Sequence, residues 1–201
     1  MTNTRARILE ASTELFRRQG MSGTGLKQIA EVAKAPFGSI YHFFPGGKDD
    51  LAGETIRRAG REYRDLVLAF FAGPDDLVTN VETAFAAAAA VLVETDYADA
   101  CPIATVALEV ASTNEPLRQA TAEVFTDWIE VGGRHLEQRG VPPEAARGLI
   151  IGFITSLEGA FVLARSRRPP YRLVGAGRAV PGGVGVAVGP RRRGCEAESG
   201  L

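Results

Sequence analysis

A chain of 201 residues, with 45% hydrophobic and 23% charged side chains, can fill one or two cored domains and has the balance of an ordinary soluble protein. Its best unbroken apolar run, Ala84 to Val93, is 10 residues long, against the about 20 that a membrane-crossing helix needs. The cysteines Cys101 and Cys195 are too few for a disulfide framework or a zinc site, and the opening residues carry no apolar leader. These features predict a cytoplasmic protein with no membrane partner. The net charge of −1 conceals a split: residues 1–65 carry 11 basic and 8 acidic side chains, residues 66–164 carry 4 and 14, and residues 165–201 carry 8 and 2. Basic ends around an acidic middle suit a polyanion at the ends and a different task between them.

In chain order, Thr2, Asn3 and Thr4 offer caps for a first helix. Ile8, Ala11 and Leu15 keep its period and Gly20 closes it. Leu26, Ile29, Ala30 and Ala33 predict a short amphipathic helix. Lys34-Ala35-Pro36 interrupts it, because a proline drives the preceding residue out of the helical region. A second short segment, Phe37 to Phe44, ends at Pro45-Gly46-Gly47. A long helix follows from Lys48 to Phe71, with Asp49 and Asp50 complementing the dipole of its first turn. Residues 76–95 are Ala-rich and helical, Asp96 to Pro102 is a loop, and 103–112, 116–139 and 143–166 read as helices between Pro- and Gly-bearing breaks. With no strand alternation, the fold class is all-α. Three parts are expected: residues 1–47, residues 48–168, and a Gly/Pro/Arg-rich tail over 169–201 that is too poor in apolar residues to order.

A longer helix followed by two short ones across a tight turn is the helix-turn-helix pattern. On a 100° wheel, Ile40 and Phe44 face Leu26, Ile29 and Ala33, while Gly38, Ser39, His42 and Phe43 fall on the outer side. Small and hydrogen-bonding residues there let the helix approach base edges in a major groove, with its partner helix across the phosphates. Lys27 is placed for a phosphate. Tyr41 can send its hydroxyl to one while its ring packs inward, and Lys48 adds an ammonium to a helix N-terminus.

The stretch TGLKQIAEVAKAPFGSIYHFFPGGKDDL resembles the DNA-binding domain of the TetR family of bacterial repressors. The PGGK turn and the run Ala100-Cys101-Pro102-Ile103-Ala104 with Ala107-Leu108-Glu109 resemble the LmrA/YxaF-like subgroup, and the resemblance spans about residues 5–165. It implies that Lys27, Phe37, Gly38, Ser39, Tyr41, His42 and Lys48 contact a palindromic operator. It also implies a homodimer and a separate ligand pocket in the C-terminal helices. Three positions depart from the pattern. Lys34 stands where the turn usually has Gly, which predicts a distorted turn; Pro36 replaces a Ser or Thr cap; and Phe37 replaces a polar or basic residue.

In the helices beyond, Phe85, Leu92, Phe125, Trp128, Ile129, Phe153, Leu157 and Phe161 form an apolar set that core packing alone explains. As a cavity wall, Phe85, Cys101, Phe125, Trp128, Phe153, Leu157 and Phe161 would hold a small apolar or aromatic inducer. His135 reads as a surface or packing residue, and Cys101, without a cationic neighbour, as an unreactive thiol. Gly148, Gly152, Ala160 and Ala164 allow close approach on a candidate dimer seam. No nucleophile elbow, phosphate loop or HExxH occurs, and no cofactor or metal is implied, so an enzyme is not expected. The competing reading is a helical small-molecule-binding protein whose altered turn has impaired or abolished DNA binding.

Overall fold

The computed structural model describes residues 3–73 and 75–168. The tail expected to be disordered, with Cys195, lies outside the described residues. Among the described residues the fold is all-α, with eight helices and no strand: α1 Thr4–Gln19, α2 Leu26–Val32, α3 Gly38–Phe43, α4 Lys48–Phe71, α5 Leu77–Glu94, α6 Pro102–Val110, α7 Glu115–Gln138 and α8 Pro143–Arg167.

Local chemistry sets the breaks. Asn3 caps α1 by accepting from the Arg5 N–H, and Asp76 caps α5 by accepting from Val78 and Thr79. Asn114 caps α7 through Leu117, and prolines occupy the first turns of α6, α7 and α8, where no N–H is missed. Gly47, at φ 71°, starts α4 from a backbone conformation that a side chain would strain.

Ile8, Phe16, Ile29, Ile40, Phe44, Leu51 and Ile56 are essentially excluded from solvent. Their cluster continues through Cys101, Ile103 and Val106 to Leu117, Ala120 and Val124, so α1–α3 rest on the first half of α4 and on α6 and α7. A second cluster joins Phe71, Val81, Phe85 and Leu92 to Phe153, Ala160 and Ala164. Edge-on contacts of Phe153 with Phe71 and Phe85, each 5.7 Å between ring centroids, order its middle.

Two helices correct the expectation from unbroken apolar runs. By length and composition, α5 and α8 are each apolar enough to cross a membrane. Isolated polar residues such as Thr155 and Glu158 hide this from a search for runs. One face of each packs into the second cluster. Ala160 and Ala164 belong to that internal face, which removes them from the expected seam, whereas a Cβ at Gly148 or Gly152 would meet nothing within 4 Å.

Candidate functional site

The two short helices stay separate, and the turn between them is well formed. Lys34 takes the left-handed conformation at φ 48°, which costs a side-chain-bearing residue about 1–2 kcal/mol. The turn is nonetheless closed by Ala35 N–H donating to the Ala30 carbonyl at 2.9 Å. Arg7 of α1 donates to the carbonyls of Ala33 at 3.0 Å and Lys34 at 3.2 Å. One guanidinium thus holds a turn that the sequence alone predicts to be distorted. Further ties from α1 fix its angle to α4: Arg5 pairs with Glu54 and lies 5.5 Å from the Phe44 ring centroid, and Arg58 donates to the Ala6 carbonyl.

With Ile40 and Phe44 buried, α3 presents its other side outward. Phe37, Gly38, Tyr41 and His42 are exposed, Ser39 is half-exposed, and Lys27 on α2 is exposed beside them. Lys48, in the first turn of α4, is half-buried. A Cβ at Gly38 would meet nothing, so the backbone itself is accessible there. Two side chains differ from the wheel. Phe43 is half-buried against the core instead of outward, its ring 4.8 Å from that of His42. Tyr41 is 51% exposed instead of packed inward, with its ring edge-on to Phe37 at 5.8 Å. Pro36 offers no side-chain cap, and Ser39 and Ile40 donate to the carbonyls of Pro36 and Phe37, three residues back. On the wheel Tyr41 and Phe43 flank the Ile40–Phe44 face about equally, roughly 80° to either side, so packing rather than periodicity decides that Phe43 turns inward.

A cavity of about 500 Å³ lies between α4, α5, α7 and α8 and the link before α6. Cys101, Trp128, Phe153, Leu157 and Phe161 line it, as expected. Phe85 and Phe125 do not. Phe85 is fully buried against Phe153, and Phe125, half-buried, packs edge-on to Trp128 at 5.6 Å and against the first cluster. Sequence reasoning missed the contribution of α4, where Tyr63, Leu66, Val67, Phe70 and Phe71 face the space. It also missed Ala84, Ala88 and Val91 of α5, and Ile150 and Ile154 of α8. An apolar stripe looks the same whether it meets a core or a cavity. His135 holds the Phe71 carbonyl at 3.1 Å and lines the far end, a packing role consistent with its reading.

The polar end was also missed. Asp99, 4% exposed, pairs with Arg17 at 2.8 Å and Arg18 at 3.3 Å, both on α1. The Tyr63 hydroxyl bonds Arg17, and burial raises its pKa above the usual phenol value. Burial and the nearby Glu158 carboxyl raise the Cys101 thiol well above its ordinary pKa, so it is held protonated and inert. Burial lifts the Glu158 carboxyl to about 7, against the lesser pull of the Cys101 hydrogen bond. Its signal was present in the sequence: Glu158 is the sole ionisable residue between Leu149 and Ala164.

A helix-turn-helix with its reading helix turned outward, mounted on a helical body, defines a DNA-binding regulator rather than an enzyme. Comparison with known proteins agrees. Residues 8–55 match the bacterial regulatory proteins of the tetR family, and residues 78–178 match the C-terminal domain of LmrA/YxaF-like transcriptional regulators. The chain is 31% identical to the HTH-type transcriptional regulator YxaF of Bacillus subtilis, covering 89% of this chain and 94% of that protein. It is 28% identical to the regulator LmrA of the same organism, over 89% and 95%. A TetR transcriptional regulator from Legionella pneumophila superposes with a TM-score of 0.76 at 22% identity, over 90% of this chain and 97% of the other. The chain belongs to the TetR family of transcriptional regulators.

Proposed function

We propose that the protein is a cytoplasmic homodimeric repressor that leaves a palindromic operator when a small apolar ligand fills the cavity. Residues 1–47 serve as its reading head and residues 48–168 as its ligand-binding and dimerising body. The observation that carries this reading is that head and cavity share two elements. The first turns of α4 lie under α3 through Leu51, and later turns of the same helix, from Glu62 to Phe71, wall the cavity. Arg17 of α1 reaches the cavity as well. A ligand that moves either element changes the separation of two heads whose half-sites lie about 34–36 Å apart or a multiple of that. By linkage, the ligand weakens the operator complex by the factor by which the operator weakens ligand binding.

A second protomer is supported by the outer face of α8, where Ile151, Val162 and Leu163 are 39%, 59% and 46% exposed alongside Gly148, Gly152 and Gly159 with open space over their Cα atoms. An apolar face of that kind seeks a partner, and its small residues admit close helix approach.

Gel-shift titration on DNA flanking its own coding region tests the reading. Salt-sensitive binding of a dimer to a palindrome is expected. Tyr41→Ala and Lys48→Ala should weaken binding to all sequences, with Lys48→Ala lowering the salt slope by about 1, while His42→Ala shifts sequence preference. Normal operator binding by all three variants overturns the assignment. Ligand binding with no DNA binding favours the plain binding protein.

A further inference from the structure

The charged groups around the cavity are paired, with one exception. Arg17 lies against Asp99, Arg64 bonds Asp65 and Asp127, and Glu62 accepts from Arg58. Glu158 faces the same space from α8 with the Cys101 thiol as hydrogen-bond partner, and it makes no ion pair among the described residues. We propose that the cavity takes an amphiphile with an apolar body and a single ammonium group, the ammonium seated on the Glu158 carboxylate beside Cys101. The inference rests on the cavity being the ligand site and specifies what enters it.

Three observations favour a cation. The Glu158 carboxyl is half-buried on a wall it shares with Leu157, Phe161 and Cys101 and has already lost part of its water, so an arriving ammonium supplies the missing counter-charge at a reduced desolvation cost to the protein. The titratable groups facing the cavity from the other elements are Arg17 on α1, Glu62, Tyr63 and Arg64 on α4, Asp99 and Cys101 before α6, and His135 on α7. Both arginines among them are held by carboxylates and the His135 Nε2 lies on the Phe71 carbonyl, so none of the three pairs with Glu158. Finally, the surplus of 14 acidic over 4 basic residues across 66–164 draws cations toward the body. An anionic ligand would need the Arg17 Nε, which makes no hydrogen bond but lies 2.8 Å from Asp99. It would have to displace that carboxylate and then sit near a second one.

The test uses the full chain and its sole tryptophan, Trp128, which lines the cavity and reports occupancy by fluorescence. Adamantylmethylamine, adamantylmethanol and adamantane carboxylate share one spectroscopically silent apolar body. At about pH 8 the ammonium compound is expected to bind at least about tenfold more tightly than either of the others, and in Glu158→Gln that preference should fall to about one. Because Glu158 titrates at about 7, wild-type affinity for the ammonium compound should drop about tenfold from about pH 8 to about pH 6, with the alcohol unchanged. This series decides the matter even if Glu158→Gln folds poorly. Equal affinities, a preference that survives Glu158→Gln, or a flat pH response overturns the cation assignment and leaves the cavity as a ligand site. Tightest binding of the carboxylate overturns it in favour of Arg17. No change at Trp128 with any of the three overturns both this inference and the ligand-site reading beneath it.

Discussion

In the reading head, the working face and the packed face alternate along one short helix: Tyr41 is 51% exposed, and Ile40 beside it is excluded from solvent. In the body, the residues facing the cavity are the packing residues themselves. Phe153 is 5% exposed, lines the cavity and organises two aromatic contacts. A head of this kind can exchange outward residues with little effect on stability. A cavity wall cannot, because each change of lining is also a change in packing.

The comparison breaks most sharply at Ile40. Ile40→Ala should cost about 2–5 kcal/mol through lost burial and the cavity left behind. The apolar cluster runs unbroken from Ile8 to Val124, so thermal melting followed by circular dichroism and by Trp128 fluorescence should still give one shared transition. Separate transitions would mean that the head unfolds alone.

Gly60 tests the body. A Cβ there would lie 2.5 Å from Val124, and the Gly60 carbonyl accepts from the Trp128 indole N–H at 2.7 Å. Gly60→Ala should cost about 1–3 kcal/mol by overpacking and shift Trp128 emission. Val124→Ala in the same chain should recover part of the loss.

Glu158 sharpens the contrast by pH. Its folded-state pKa of about 7 stands above the free value of 4.5, so the folded chain keeps a proton that the unfolded chain releases. Its contribution to stability is present in full below about 4.5 and lost as pH rises through about 7. Glu158→Gln should therefore melt a few degrees higher than wild type at about pH 8, with the difference closing toward about pH 5. No difference at about pH 8 would contradict the carboxyl's burial. The smallest effect is expected in the head, where Lys34→Gly should relieve the positive φ and gain about 1 kcal/mol in denaturant unfolding.

These two regions also differ in how far the sequence reveals them. The helix-turn-helix occupies one contiguous stretch, so its periodicity, the Pro36 break and the Pro45-Gly46-Gly47 stop place every element. Only the facing of Tyr41 and Phe43 differs, because both flank the buried face about equally on the wheel and periodicity cannot choose between them. The cavity draws on α1, α4, α5, α7, α8 and a link, and no local pattern separates a wall residue from a core residue. Cys101, Trp128, Phe153, Leu157 and Phe161 were legible as large or soft side chains on inward stripes. Phe85 and Phe125 met the same criterion and pack elsewhere. Asp99 and Arg17 gave no signal, since ion pairing across 82 positions has no sequence period.

The link between α5 and α6 ties these parts together. Asp96 and Tyr97 adopt φ 48° and 61° in succession, conformations that cost side-chain-bearing residues of order 1–3 kcal/mol each. Arg165 of α8 grips the Tyr97 carbonyl at 3.2 Å, Arg168 pairs with Asp96 at 3.4 Å, and Asp99 grips α1. The segment is thus a clasp, fastened to the last turn of α8 at one end and to the first helix of the head at the other. Through this one short link the end of α8 and the first helix of the head are fastened to each other, although about 150 residues of sequence separate them.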